Sequence, residues 1–268
     1  MKPVSKTAFY TCGIRMQDAE SDKPFCGDDY AREFMDDAGM EILAAFSEQA
    51  PPNTSTVVRH RIIDDILREE LARDPDRRVV IIGAGFDSRA YRLNGGRWVE
   101  FDEPALIAYK NEKLSAEKAS NKLERVAIDF SAGSLEEKLK PFATEDEVTV
   151  VIEGVFLYLT QDAILEDLSI LHRVFPRHRL ICDLMTASFF NKYAQETHKK
   201  VAELGASFKI DDDRPERLFL TNGYRLRERI STVERSVELG AMDIPRLLLK
   251  TVLRRLANGY CVYVFETV

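Results

Sequence analysis

With 268 residues, 45% apolar and 31% charged, the chain can bury a substantial core without disulfides or metals to staple it. Its net charge of −7, from 38 basic against 45 acidic residues, gives no overall electrostatic footprint for DNA, RNA or an anionic membrane and leaves only local basic patches open. The four cysteines, Cys12, Cys26, Cys182 and Cys261, show neither a CxxC pair nor a metal-ligand spacing with a histidine. Buried free thiols, no metal and a reducing cytoplasm are therefore expected. No stretch is long and apolar enough to read as a leader or a membrane span.

In chain order, Pro51-Pro52 reads as a short loop and Asn53, Thr54 and Ser55 as capping residues. Val58, Ile62, Ile66 and Ile63, Leu67, Leu71 then recur at helical spacing until Arg73-Asp74-Pro75-Asp76 ends the helix. Val79-Val80-Ile81-Ile82 follows as a strand buried on both faces, running into Gly83-Ala84-Gly85-Phe86-Asp87, a turn predicted to open a helix. Strands are predicted over 97–101, 125–128, 148–152 and 179–183, with helices over 104–118, 134–140 and 161–174 between them. That alternation implies a parallel, doubly wound α/β sheet. Further on, 186–204 reads as one long helix, 224–233 and 259–266 as strands, and 244–256 as a helix. A closing hairpin would make one strand antiparallel.

Ligands on open α/β sheets lie beyond the carboxyl ends of the strands. Those positions here hold Gly83, Ala84 and Gly85, then Asp102, then Asp129-Phe130, then Glu153-Gly154. Asp102 stands at the distance from the first glycine that suits a ribose acceptor. Asp129 could accept from an exocyclic amine with Phe130 over the base, and Glu153 could hold an amino group. The glycine pattern alone also fits a dinucleotide. Against that, Asp87 at the helix start would repel a pyrophosphate, and acids follow the third and fourth strands as well. A phosphate-free cofactor bearing cationic and amino groups, such as S-adenosylmethionine, suits these residues better than NAD(P).

Four segments carry a specific resemblance: Val58-Arg59-His60-Arg61-Ile62-Ile63-Asp64-Asp65, Gly83 through Leu93, Glu100-Phe101-Asp102-Glu103-Pro104, and Ile152-Glu153-Gly154-Val155-Phe156-Leu157-Tyr158-Leu159. Together the chain resembles the leucine carboxyl methyltransferase family, which includes phosphatase methyltransferases and bacterial polyketide O-methyltransferases. The resemblance runs from Lys6 to about Tyr158; beyond it only the pattern of elements matches. It implies a single class I methyltransferase domain over 1–268, with a mostly parallel seven-stranded sheet. A helical cap would come from about 1–50 and an insertion at about 184–222. It implies that Lys6 and Arg59 bind the methionine carboxylate, and that Gly83, Ala84 and Gly85 wrap the amino acid end. Asp102 with the adjoining Glu103 would bind the ribose, Asp129 and Phe130 the adenine, and Glu153 with Gly154 the methionine amino group. Arg61 reads as a solvated helix face, and Arg89 and Arg92 as ties between the first helix and nearby acids.

The expected activity is O-methylation of a carboxylate or hydroxyl on a small molecule or peptide, by in-line displacement that leaves S-adenosylhomocysteine. A carboxylate is ionised at neutral pH, whereas a phenol falls about three units short, a deficit of roughly 4 kcal/mol that calls for a base. His178 should lie at the wrong end of the sheet and His60 and His172 on helix surfaces, which leaves His198 as the candidate base. Tyr158 could orient the acceptor oxygen, and Arg15, with Tyr10 nearby, could face an acceptor carboxylate. The alternatives are a nicotinamide oxidoreductase and a non-catalytic cofactor-binding partner. Neither nucleic acid nor membrane is expected as a partner, and the acceptor and oligomeric state stay open.

Overall fold

The structure is a computed structural model that describes residues 2–46, 50–130 and 135–268. Helix α1 (Pro3–Ala19) starts with proline in its first turn, where a missing N–H costs nothing. Asp36 caps α2 (Asp37–Ala44) by accepting from Gly39 N at 2.9 Å. Helix α3 spans Ala50–Arg73. Pro51-Pro52 therefore belongs to its first turn rather than to a loop, because fixed φ suits a helix start and the absent donors are unpaired there anyway. Asn53, Thr54 and Ser55 are accordingly helical residues, not caps.

Strand β1 (Arg78–Ile82) leads through the glycine turn to α4 (Arg89–Arg92), so the turn opens a helix of only one turn. β2 (Arg97–Asp102), α5 (Pro104–Lys113), β3 (Lys122–Ala127) and α6 (Leu135–Leu139) follow. The predicted start of the last helix at Ser134 lies outside the described residues, as do 47–49 of the predicted cap. β4 (Val148–Ile152) is buried throughout, and Thr160 caps α7 (Gln161–Val174) before β5 (His178–Met185).

The segment predicted as one helix over 186–204 is α8 (Ala187–Phe189), a π turn at Phe190–Ala194 and α9 (Gln195–Glu203). After α10 (Arg217–Leu220), β6 (Tyr224–Ser231) ends where Ser231 caps α11 (Thr232–Glu238), accepting from Glu234 N at 3.0 Å. That cap stops the strand two residues before the predicted end. The expected helix over 244–256 is two short ones, α12 (Arg246–Lys250) and α13 (Arg254–Asn258), before β7 (Tyr260–Thr267).

The seven strands form one sheet ordered β3-β2-β1-β4-β5-β7-β6. The first five are parallel and β7 runs antiparallel to both neighbours. One face packs on α1, α3 and α5 through residues such as Val58, Ile62, Leu67 and Trp98; the other packs on α7 through Leu168, Leu171 and Phe219. A third apolar cluster, around Leu157, Met185, Phe189, Val233 and Tyr260, lies beyond the carboxyl ends of β4 and β5. The four cysteines are buried and free. Among the described residues no helix is long and apolar enough to cross a membrane.

Candidate functional site

The reversal of strand order between β1 and β4 opens a crevice at their carboxyl ends, where the glycine turn sits. Gly83 has φ +69°, and a Cβ there would stand 2.4 Å from Val155 Cγ2, so glycine is required by both backbone and space. Gly83 N and Ala84 N donate to the Phe101 carbonyl, at 2.9 and 3.1 Å. Gly85 N donates to Asp102 Oδ2 at 2.6 Å, while Asp102 Oδ1 accepts from Glu103 N at 2.7 Å. Asp102 thus rivets the turn to the end of β2. Burial pushes its carboxyl pKa up, against those two backbone bonds.

Beneath the turn lies a buried floor of four guanidiniums and five carboxylates: Arg15, Arg59, Arg89 and Arg92 facing Asp28, Asp64, Asp87, Glu153 and Asp183. Arg89, fully buried, is its hub, with Nε 2.7 Å from Asp64, Nη1 2.5 Å from Asp87 and Nη2 2.8 Å from Glu153. Burial alone would raise the Glu153 carboxyl, but Arg89, His60 and Arg59 outweigh it and hold it well below the usual range. Arg59 Nε donates to the other Glu153 oxygen at 3.0 Å, and its Nη1 reaches Asp183 at 3.1 Å and the Tyr260 hydroxyl at 2.5 Å. Asp183 also accepts from Tyr260 Oη at 2.8 Å and from Gly154 N at 2.6 Å. A Cβ on Gly154 would sit 3.2 Å from Arg59 Nη2, so a side chain there would crowd the guanidinium.

His60 is not on a helix surface as predicted: it is 1% exposed. Its ring nitrogens lie 2.8 and 2.9 Å from Arg89 Nη2 and Arg92 Nη2. Burial first and Arg89 second push its pKa down. His60, Asp87 and Glu153 are the one grouping of ligand-type side chains among the described residues that could hold a metal ion. The Arg89 guanidinium bonds all three, so here they stand within the ion-pair network.

Above the floor opens a cavity of about 1350 Å³. Its polar end is the glycine turn with Asp102, Glu103, Arg59 and Glu153; its far end is walled by Leu157, Met185, Phe189, Phe208, Val233 and Ile244. Phe189, Lys192, Tyr193 and Glu196, at i, i+3, i+4 and i+7 across the π turn, also line the cavity. A side arm runs along α7, where Ala163, Glu166, Asp167 and Ile170 share one helical face. Burial and then Glu166 push Asp167 up to about 6.

The structure gathers most of the predicted residues at this cavity: Arg15, Arg59, Gly83, Ala84, Gly85, Asp102, Glu103, Phe130, Glu153, Gly154 and Tyr158 line it. Lys6 is exposed and outside the lining, since Thr7, Ala8, Thr11 and Arg15 form the inward face of α1. Asp129 is also off the lining; Lys2 Nζ joins it at 2.6 Å and Glu103 at 2.9 Å across the lip. Arg15 does not point at an open acceptor position, because Asp28 at 2.9 Å and the Phe86 carbonyl at 2.7 Å engage it. His198 is absent from the lining: its Nδ1 accepts from Phe208 N at 3.3 Å and its ring packs on Phe190. His178 lies at the amino end of β5, bonded to the Phe175 carbonyl and to Tyr224. Arg92 and Arg89 tie α4 to Asp64, as expected. Arg61 pairs with Asp65 at 2.8 Å. Asp28, Asp167, Asp183 and Tyr260 escaped the sequence reading; only the position of Asp183, near the carboxyl end of β5, carried a signal.

A protein from Mycobacteroides abscessus, provisionally named an S-adenosyl-L-methionine-dependent methyltransferase, is 31% identical over 188 residues, 62% of this chain and 60% of its own. One from Streptomyces avermitilis with the same provisional name is 29% identical over 175 residues, 59% of this chain and 60% of its own. The matches thus span about three-fifths of those relatives' length. A crystal structure of a duf574 family protein from Streptomyces avermitilis superposes with TM-score 0.64 at 12% identity, covering 96% of this chain and 97% of that one. Magnesium protoporphyrin IX methyltransferase from Synechocystis, solved with bound SAH, gives 0.53 at 14% identity, covering 90% and 99%. These two likenesses show a shared Rossmann-like fold. Residues 8–172 match the leucine carboxyl methyltransferase family, and the chain belongs to that family.

Proposed function

We propose that the protein transfers a methyl group from S-adenosylmethionine to an oxygen of a small-molecule or peptide acceptor, with a carboxylate as the favoured nucleophile. The observation that carries this reading is the pair of acids, Asp102 and Glu153, that line the cavity together with the glycine turn. Carboxylates at those two places suit a ligand that brings ribose hydroxyls and an ammonium. A pyrophosphate is poorly served, since Gly83, Ala84 and Gly85 already donate within the protein and α4 is a single turn. That argues against a nicotinamide oxidoreductase.

When bound, S-adenosylmethionine supplies the electrophilic methyl. The chain's own groups bind and orient: Arg59 meets the methionine carboxylate, Glu153 the amino group beside Gly154, Asp102 the ribose, and Phe130 the adenine face. Glu103 and Asp129, joined by Lys2, hold the lip rather than the base. Arg15 takes a positioning role through Asp28 and the Phe86 carbonyl. Tyr158, whose pKa burial pushes up against a bond to Thr7, keeps its proton and can donate to the acceptor oxygen. The choice of carboxylate rests on the histidines: His60 alone lines the cavity, and it is buried against two arginines rather than open to an acceptor. Alignment supplies the catalysis, up to roughly 7 to 11 kcal/mol for ideal geometry.

Calorimetric titration with S-adenosylhomocysteine should show binding, and its absence sinks the reading. A methyl-transfer screen across acids and phenols then follows, with turnover expected on carboxylates. Binding without turnover on any acceptor would favour the non-catalytic partner.

A further inference from the structure

Between β6 and β7, the segment 246–258 carries Arg246, Lys250, Arg254 and Arg255 and no acidic residue, in a chain of net charge −7. All four cations are exposed, and none has an ion-pair partner within 4.0 Å among the described residues. Leu247, Leu248 and Val252 stand out beside them at 72%, 40% and 79% exposure. Leu249 and Ala257, buried at 3% and 1%, anchor the two short helices to the apolar cluster behind. Anchored on one side, the segment holds its aliphatic and cationic groups outward on the other.

We propose that this segment is a docking surface for an anionic lipid bilayer. Protruding aliphatic side chains flanked by Lys and Arg are what an interfacial element presents to headgroups and acyl chains. A folded protein partner would need a pocket shaped for each projecting side chain; a bilayer accepts them without one. The segment's four cations stand out locally against the molecule's net charge of −7. The same segment forms part of the cavity wall through Leu256, joined there by Ile244 just before it and by the half-exposed Tyr193. An amphiphilic acid could then pass from the bilayer to the cavity. That last step alone rests on the proposed methyl transfer.

The test is cosedimentation of the full chain with vesicles of phosphatidylcholine, with and without phosphatidylserine. The protein should pellet with the anionic vesicles only, and added salt should release it. Arg246→Gln with Lys250→Gln should weaken binding roughly 25-fold, at about fivefold per cation. Leu247→Ser with Val252→Ser should also release the protein. Both variants should keep wild-type circular dichroism and wild-type affinity for S-adenosylhomocysteine, which separates this result from failure of the cofactor reading. The proposal is overturned if the wild type stays in the supernatant with both vesicles, or if the variants pellet as it does. It is equally overturned if Leu247→Ser merely turns a dimer into a monomer.

Discussion

The two ends of the cavity are built on opposite principles. At the floor the charged groups pair with one another: Arg89 alone reaches Asp64, Asp87, Glu153 and His60, and Gly83, Ala84 and Gly85 donate within the protein. At the far end Phe189, Phe208, Val233 and Ile244 offer shape and apolar area with few directional contacts. A fixed cofactor needs the first kind of wall, and a variable acceptor the second. The floor is therefore rigid and brittle under substitution, while the chamber should tolerate exchange.

The harshest test of that contrast is Arg89→Met. It leaves Glu153, Asp87 and Asp64 buried with a guanidinium missing, and breaking one partner of a buried ion pair typically costs about 3 to 5 kcal/mol. Urea denaturation should show a loss of that size, with cofactor affinity falling alongside. A loss under about 1 kcal/mol, the scale of a surface pair, would mean the floor is not a network.

A step smaller is Gly83→Ala. An alanine at φ +69° costs roughly 1 to 2 kcal/mol, and its Cβ would also push Val155 aside. Denaturation should register that loss, and S-adenosylhomocysteine titration should show at least a tenfold drop in affinity. Unchanged affinity would remove the turn from the cofactor site.

How far the sequence discloses the site follows the same divide. Gly83, Asp102, Glu153 and Phe130 were legible because a parallel sheet delivers the residue after each strand to one edge, whatever the rest of the fold does. The partners that hold them were not. Arg59 meets Asp183 across 124 residues and Tyr260 across 201, distances over which no local spacing carries information. Tyr260 opens an apolar run and reads as core; only the antiparallel pairing of β7 with β5 puts it opposite Met185 at the crevice. His60 reads as surface because its helix is flanked by charge, yet that charge belongs to a buried lattice. The local misreadings share a cause: Pro51-Pro52 and Ser231 both mark a helix start, and a strand or loop reading places the boundary on the wrong side. The chamber was least legible, since 186–204 and 232–258 reach it by a π turn and short helices that leave no strong period.

The mildest and most discriminating test uses acidity. Asp28, at the floor, is driven up by burial but pulled down further by Arg15 and Arg92, to about 2, so it stays charged across any ordinary buffer. Asp167, in the apolar arm, has no such cations, and burial pushes it up to about 6. Its unfolded value is near 3.8, so the folded state binds the proton more tightly. Its favourable contribution is therefore complete below about 4 and is lost as pH rises through about 6. His178, pushed down to about 4 by burial, works in the opposite sense, losing stability as pH falls through the same window. The wild-type curve mixes the two. The difference between Asp167→Asn and wild type does not, because the histidine contribution is common to both. That difference should be near its low-pH baseline at pH 4 and rise by about 1 to 2 kcal/mol in favour of the variant by pH 8, with its midpoint near 5, halfway between 3.8 and about 6. A difference that stays flat from pH 4 to 8 would place Asp167 in water, and would make the α7 arm a surface groove rather than part of the dry chamber.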